Sequence, residues 1–254
     1  MHHHRPPGAR PPLRPPNQPT RRRPVTQRAT VLLLSALTAA PAIAQIDVSG
    51  SVGLQSGYTF RGQTPGDSSP SPQLTLNLDS ASGWYAGGFA AGMHIGDNYG
   101  YKLQGYAGYA LRLTSALSGD AGCSQIAYTQ SHANDFHECY AGLSGERTSA
   151  RLSYAPRYFG FRAKVLYAEI STFYPVHPRF NLIAHAGLLY NLSDGVWPGV
   201  PARSRYDLKL GVAVPFGNWT VQLAREHSPD DGLRYYGYPI HPAKAWSMGA
   251  SYAF

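Results

Sequence analysis

Charged side chains beyond residue 44 recur at alternate positions among apolar residues. Between 205 and 216, Arg205, Asp207 and Lys209 fall on one face of an extended chain, and apolar residues occupy the other face. Opposite charges that face each other across a narrow lumen select solutes by sign and size. Paired charges also stabilise a filled interior, so the sequence leaves both roles open. The residues that we predict to line such a lumen are Arg61, Lys102, Arg112, Glu138, Arg151, Glu169, Arg205, Asp207, Lys209 and Glu226.

Two of these residues have defined expected places. Arg61 ends the first predicted strand, so we expect it near the outer mouth of the lumen, where it would act on entering solutes. Glu138 is the carboxylate that we expect deepest in the interior, paired with Arg112 or Arg151 on nearby strands. The sequence therefore predicts an arginine at the entrance and an ion pair further in.

Cys123 and Cys139 are the only thiols of the chain. They fall on adjacent predicted strands, and a turn centred near Ser131 would place them opposite each other. Disulfides persist in the oxidising compartment that an exported protein enters, so a bridge is one expectation. Two free thiols packed as small apolar groups are the alternative. A single cysteine pair with no paired histidine does not supply the ligands of a zinc site.

Catalytic motifs do not stand out in the sequence. It contains no G-x-S-x-G, no H-E-x-x-H and no phosphate-binding loop. The histidines beyond residue 44 are scattered, and His185 is the one that we place in the lumen. A lipid hydrolase at a barrel rim needs a serine and a histidine oriented by a third group, and no such arrangement stands out at the strand ends. We therefore expect no enzyme, no cofactor and no metal site.

The elements that must position these residues are long strands with a period of two. In 98–112, tyrosine and leucine dominate one face, while lysine, glutamine, arginine and glycine lie on the other. A soluble β-sandwich also alternates, but its strands are typically about five or six residues long. Many runs here are longer, and a tilted strand needs about 9–11 residues to cross a bilayer. Together with aromatic residues near the ends of the apolar faces, this predicts an all-β, antiparallel transmembrane β-barrel.

The number of alternating runs predicts about twelve strands. Ten or fourteen strands are the alternatives, because 115–150 is the least regular part of the sequence. An even number places both termini on the periplasmic side, with longer connections such as the tyrosine-rich 228–242 outside. The predicted strands span 47–62, 72–79, 83–95, 99–114, 122–131, 136–145, 148–156, 162–173, 179–191, 203–216, 218–227 and 243–254.

The first 44 residues account for the basic character of the chain. The formal net charge is +8, but this segment holds seven of the 22 basic residues and no acidic one, which leaves 15 basic against 14 acidic residues. The charge therefore does not indicate a nucleic-acid partner. Residues 25–44 have the basic flank, apolar centre and small-residue exit of a secretory signal peptide cleaved near Ala44. Residues 1–24 are expected to be disordered or a mis-assigned upstream extension, with Val25 as the true start, and 45–254 form the barrel.

Three short stretches of the predicted barrel resemble a known family. The segment 56–64, SGYTFRGQT, resembles the S-x-Y-x-F-R-G-x-S/T start of the TorF-family porins of Gram-negative bacteria. GWYAG at 83–87 and ECYAGL at 138–143 also fit that family, whereas the cysteine pair and the 228–242 loop depart from it. The resemblance implies an exported outer-membrane barrel and says nothing about a particular solute.

The expected function is passive passage of small polar solutes or ions through a mixed-charge lumen in the bacterial outer membrane. The alternatives are a non-conducting barrel for adhesion or envelope structure and, third, a barrel-rim enzyme that modifies lipids. The expected partners are outer-membrane lipid, lipopolysaccharide and the small solutes. The alternating last strand, which ends in the aromatic Phe254, resembles the assembly signal of bacterial outer-membrane barrels, so the barrel-assembly machinery is also an expected partner.

Overall fold

The computed structural model describes most of the predicted barrel. The predicted upstream extension, 1–24, and the predicted signal peptide, 25–44, lie outside the described residues, as do 230–233 and 236–237 of the 228–242 loop. Within the part described, no α-helix has the length and apolar character needed to cross a membrane. The described residues are 46–65, 69–95, 98–194, 197, 200–201, 203–229, 234–235, 238–242 and 246–254.

Strands are the dominant element of the described chain. Two short 3-10 helices, His132–Asn134 and Tyr158–Gly160, interrupt them. The strands are β1 Ile46–Gln55, β2 Gln63–Pro65, β3 Ser71–Ser80, β4 Trp84–Ile95, β5 Asn98–Arg112, β6 Ser118–Tyr128, β7 Phe136–Ser144, β8 Thr148–Ala155, β9 Val165–His177, β10 Phe180–Asn191, β11 Ser204–Phe216, β12 Trp219–His227, β13 Arg234–Tyr235, β14 Tyr238–Pro242 and β15 Trp246–Ala253.

Twelve of these strands close into one antiparallel barrel. Their order around the wall is β1-β15-β12-β11-β10-β9-β8-β7-β6-β5-β4-β3, so each strand pairs with its neighbours along the chain and β15 closes the ring against β1. The three short strands form a separate small sheet in the order β13-β14-β2. The predicted all-β barrel of twelve antiparallel strands is confirmed.

Alternation along the strands separates the two faces of the wall. On β5, Lys102 and Gln104 are buried inside, whereas Leu103 between them is 43% exposed on the outside. On β11, Leu208 and Leu210 point outward in the same way. An outer surface of this size covered by leucine, valine and aromatic residues would be unstable in water, so the wall is built to face the hydrocarbon of a bilayer.

Aromatic side chains on the outer face collect near both ends of the barrel. Trp84, Phe216 and Trp219 lie on strand ends on the same side as the termini of the barrel, and all are well exposed. Tyr99 and Trp246 lie on strand ends at the opposite side. Amphipathic rings favour the headgroup level of a membrane, and the two belts therefore mark the two interfaces.

The two ends of the barrel differ in the length of their connections. The first and last strands put their termini at one end, here called the terminal end, where Gly50 and Phe254 exchange backbone hydrogen bonds of 3.0 Å. Strands at this end are joined by tight turns such as 81–83 and 217–218, while the opposite loop end carries connections such as 56–70 and 156–164. This asymmetry matches the predicted one; the periplasmic placement of the terminal end remains a prediction.

The first strand is shorter than predicted. It ends at Gln55 and not at residue 62, because the chain bends after it and folds back into the barrel. Phe60 and Gln63 exchange backbone hydrogen bonds of 2.7 and 3.0 Å around a tight turn in which Arg61 and Gly62 have φ values of 50° and 71°. Residues 56–65, here called the inward segment, therefore leave the wall and enter the lumen.

Aromatic rings fill the loop half of the lumen. Tyr58 and Phe60 of the inward segment, which the extended strand 47–62 placed on the lipid face, are instead buried inside. Phe60 meets Phe159 edge-to-face at 6.3 Å between ring centroids, and Phe159 packs on Phe136 at 5.5 Å. The aromatic plug, as we call this cluster, consists of Tyr58, Phe60, Tyr128, Phe136, Tyr158 and Phe159.

A candidate functional site in the barrel lumen

An ion pair links the inward segment to the barrel wall. The Arg61 guanidinium donates to the Glu138 carboxylate on β7 over 2.7 Å, and the two side chains are only 6% and 7% exposed. The guanidinium also lies 4.4 Å from the ring centroid of Tyr167 and 4.8 Å from that of Phe60. Charge pairing and cation–π contacts together compensate for its removal from water.

The surroundings of this pair favour the charged arginine. Burial lowers the pKa of the Arg61 guanidinium, but the Glu138 carboxylate and the nearby Tyr158 and Tyr167 raise it by more, so the pKa ends above its usual value. Burial raises the pKa of Tyr158, in the loop beside it, to about 12. Arg61 is therefore cationic and Tyr158 neutral at any physiological pH.

A buried lysine lies beside the aromatic plug. Lys102 on β5 has no solvent exposure, and its ammonium donates to the Gln104 side chain over 3.1 Å. The same ammonium sits 4.2 Å from the ring centroid of Phe60 and 5.5 Å from that of Phe89. The inward segment thus covers a buried lysine as well as carrying Arg61.

A second ion pair lies in the terminal half of the lumen. Arg151 on β8 donates to Asp120 on β6 over 3.1 Å, and both side chains are under 10% exposed. The Tyr85 hydroxyl donates to the same carboxylate over 2.8 Å, and Arg151 lies over the Tyr140 ring at 4.2 Å. Strands β4, β6, β7 and β8 all contribute to this network, so it ties together one side of the wall.

A third polar network spans β9, β10 and β11. His185 contacts Ser171 through Nδ1 at 2.8 Å and Asp207 through Nε2 at 3.0 Å. The Tyr167 hydroxyl donates to both oxygens of Asp207, over 3.3 and 3.2 Å. Next to it, Lys209 and Glu226 approach to 3.9 Å. The interior wall therefore presents charges of both signs along its length.

The family comparison covers nearly all of the described barrel. Residues 39–249 match the model of a family described as a bacterial protein of unknown function, Gcw_chp. The chain belongs to the Gcw_chp family. A search of the curated proteins finds no match to this Gcw_chp chain.

A solved porin structure shares the fold of this protein. The NanC porin superposes with a TM-score of 0.55 at 13% sequence identity, with 81% of this chain and 99% of that chain covered. The KdgM porin has a TM-score of 0.48 at 13% identity, covering 82% and 98%. At 13% identity the likeness to the NanC porin establishes the shared barrel architecture alone.

The prediction that Glu138 pairs with Arg112 or Arg151 was wrong. Glu138 pairs with Arg61 and not with Arg112 or Arg151. Through the strand register, Glu138 is level with Tyr106, six residues from Arg112 on β5, which is about 20 Å along a strand. Arg151 is level with Gly142, four residues or about 13 Å from Glu138 on β7.

The other predicted lumen residues occupy different depths. Lys102 and Arg205 are wholly enclosed at the loop half, Glu169 faces inward at mid-wall opposite Arg151, and Arg112 is exposed at the terminal end of β5. Arg61 lies inside the lumen and not at the outer mouth that the sequence predicted, because the inward segment folds back.

Asp120, Ser171 and Tyr167 are among the polar lumen residues that were missed from the sequence. Asp120 precedes the predicted strand 122–131, but β6 starts at Ser118 and so carries it inside. It alternates correctly with Gly122 and Ser124, which is a signal that could have revealed it. Ser171 and Tyr167 alternate with Glu169 on β9 in the same way, but their role appears only once the neighbouring strands are in register.

The structure joins Cys123 and Cys139 in a disulfide. The two residues lie directly opposite each other in the β6–β7 register, and both are on the outer face of the wall, exposed toward lipid. The bridge therefore lies outside the lumen chemistry. Among the described residues, no group of three or more histidine, cysteine or acidic side chains is arranged to hold a metal ion.

Proposed function

We propose that this protein is an outer-membrane channel for passive diffusion of small polar solutes or ions through a narrow, mixed-charge lumen. The observation that carries the proposal is the division of the wall into an apolar outer face and an inner face bearing charges of both signs. An interior that only filled the barrel could be built from apolar side chains, without the cost of burying so many charges. The fold shared with the NanC porin supports the proposal.

The constriction of this channel is the inward segment. It places Arg61 against Glu138 and brings Phe60 over the Lys102 ammonium in the loop half of the lumen. A solute that crosses the barrel must pass this level, where a fixed cation faces a fixed anion. Such a transverse arrangement favours small polar or zwitterionic solutes over large or strongly charged ones.

Single-channel currents of Arg61→Ala in planar bilayers test the constriction. Removal of the guanidinium widens the narrowest level and leaves the Glu138 carboxylate without its cation. We expect a larger conductance than that of the unaltered chain and a shift of ion preference toward cations. Arg179→Ala is the matched control, because it removes one positive charge from an exposed turn at the terminal end.

Two outcomes of that experiment would contradict the assignment. An Arg61→Ala channel with the conductance and ion preference of the unaltered protein would remove Arg61 from the pore. An equal change in Arg179→Ala would show that overall charge, and not the constriction, sets the current.

A second candidate function is a non-conducting structural barrel. It is favoured by the burial of the constriction: Lys102 has no exposed surface, and the Arg61 and Glu138 side chains are nearly covered. A folded chain that inserts into bilayers and carries no current in any ionic condition would support this alternative over the channel.

The cellular setting is part of the proposal. We infer export through a signal peptide cleaved near Ala44, periplasmic termini, and insertion by the barrel-assembly machinery acting on the strand that ends at Phe254. The lipid partners are outer-membrane lipid and lipopolysaccharide. The match of 56–64 to the start of the TorF-family porins supports a place in that group, and this stretch largely coincides with the inward segment.

A further inference from the structure

Three adjacent strands place a serine, a histidine and an aspartate in hydrogen-bonded sequence inside the lumen. Ser171 on β9 lies 2.8 Å from His185 Nδ1, and His185 Nε2 lies 3.0 Å from Asp207 on β11. We propose that Ser171 is a nucleophile, activated by His185 and Asp207, that cleaves short-chain carboxylic esters of small polar molecules. This activity goes beyond the passage of solutes proposed above and does not depend on it.

The hydrogen bonds fix the direction of proton transfer. Asp207 accepts and cannot donate, so the neutral imidazole carries its proton on Nε2 and presents an unprotonated Nδ1 to Ser171. A nucleophile bonded to a base, which a third group orients, is the arrangement that activates serine. Here the two imidazole nitrogens exchange places relative to the familiar serine-protease order, and the chemistry is the same.

The local sequence holds Asp207 and His185 in place. The Tyr167 hydroxyl donates to both Asp207 oxygens and lies 3.2 Å from His185 Nε2. Gly187 on β10 makes room for this contact, because a Cβ there would collide with the Tyr167 hydroxyl and lie 2.5 Å from an Asp207 oxygen. The lack of a side chain at Gly187 therefore lets the Tyr167 hydroxyl reach Asp207 beside the histidine.

The serine is reachable from one end of the barrel. Ser171 is partly exposed, and its register partner Ser149 is the second residue of β8 from the terminal end. The aromatic plug lies in the loop half, so it shields this level from the other side. Directly opposed side chains have Cβ atoms about 4.5–5.5 Å apart, which puts the Ser149 hydroxyl in position to donate to a developing oxyanion.

The reaction balances with water as the only co-reactant. The Ser171 oxygen attacks the ester carbonyl while His185 Nδ1 takes the hydroxyl proton. Collapse of the tetrahedral intermediate breaks the bond to the alcohol, which leaves with the proton from His185. Water then attacks the acyl-serine with the same base, releasing the acid and restoring Ser171.

The surroundings select the substrate class. The lumen at this level is lined by polar and charged groups, including Glu169 on the same strand and the Lys209–Glu226 pair beside His185. The apolar lining beside His185 is the small cluster of Ile183, Ala213 and Ala224, which matches a short acyl group better than a long one. A lipid inside the barrel would also have to leave the bilayer. A small water-soluble ester with a short acyl group fits the site.

Covalent labelling of the folded full-length chain with a fluorophosphonate probe tests the proposal. We expect one modified peptide, containing Ser171, identified by mass spectrometry of the unaltered protein. Ser171→Ala should lose the label, whereas Ser51→Ala should keep it; Ser51 is another partly exposed lumen serine on β1, five strands away around the wall. Folding of every variant is checked by its heat-dependent mobility on a gel.

Hydrolysis of p-nitrophenyl acetate provides the second readout. His185→Ala should lower the rate by about 100-fold or more, the contribution of a positioned general base. Asp207 is a positioning residue, so Asp207→Ala should lower the rate and change its pH profile, and Asp207→Glu should restore part of it. A folded, unaltered chain that takes no label, a label on another serine, or an equal rate for Ser171→Ala would overturn the proposal.

Discussion

Replacement of Arg61 by methionine tests whether the inward segment is held by its ion pair. Methionine keeps the length and much of the apolar volume of the arginine stem, so the packing against Phe60 and Tyr167 is largely retained. The change removes only the cation. Glu138, whose side chain is 7% exposed, then remains as a buried carboxylate with its partner gone.

The expected cost follows from the burial of both groups. Breaking a buried pair by removing one partner costs about 3–5 kcal/mol. Two unit charges about 4 Å apart attract by about 4 kcal/mol at an effective dielectric of about 20, which agrees with that range. We therefore expect Arg61→Met to lower the free energy of unfolding by about 4 kcal/mol. Arg61→Met combined with Glu138→Gln, which removes both charges, should be less destabilised than Arg61→Met alone.

Urea unfolding from lipid vesicles, followed by tryptophan fluorescence, measures these differences. The matched control is Arg179→Met in an exposed turn, which should stay within about 0.5 kcal/mol of the unaltered protein. If Arg61→Met lowers the free energy of unfolding by less than about 1 kcal/mol, the buried pair does not hold the inward segment in place. If the effects of the Arg61 and Glu138 substitutions on the free energy of unfolding simply add, the two residues are not coupled.

Two further predictions concern the wall. Gly87→Ala should lower the free energy of unfolding by about 1–3 kcal/mol, because the added Cβ would collide with the Tyr106 hydroxyl. Gly105→Ala is the control and should have no effect, because nothing lies within 4 Å of the added Cβ. Equal unfolding curves for the two variants would contradict this prediction. Reduction of the Cys123–Cys139 bridge, which closes a separation of 16 residues, should add about two daltons by mass spectrometry and cost at most about 3 kcal/mol; an unchanged mass would show that no bridge forms.

The wall of the barrel could be predicted from sequence because one face of each strand meets lipid. On β5, β11 and β15 the period of two assigns the outward and inward faces as the structure has them; Lys102, Asp207 and Ser247 all point inward. The opposition of Cys123 and Cys139 could be anticipated because a connection centred on Ser131 leaves the two cysteines at equal distances along the neighbouring strands.

The inward segment could not be predicted because its pattern continues that of the strand. Tyr58 and Phe60 keep the alternation of Val52 and Leu54, and an apolar side chain satisfies lipid and a packed interior equally well. The informative feature is the Arg61–Gly62 turn, whose positive φ values reverse the chain.

The ion pairs of the lumen depend on that missed feature. Alternation within a strand says that a charge points inward, but not at which depth or against which strand. Glu138 pairs with Arg61, which lies on a segment outside the wall. Arg151 pairs with Asp120, which the predicted strand 122–131 did not include. Depth and partner are therefore properties of the closed barrel and its inward segment together.

Swelling of lipid vesicles that contain the folded chain tests the proposed channel most directly. Vesicles loaded with an impermeant polymer are diluted into isotonic solutions of sugars of increasing size, and the rate of swelling reports the entry of each solute. The account predicts fast swelling with the smallest polar solutes and a steep decline with size, shifted to larger solutes by Arg61→Ala. Swelling no faster than in protein-free vesicles, with the barrel folded and inserted, would contradict it.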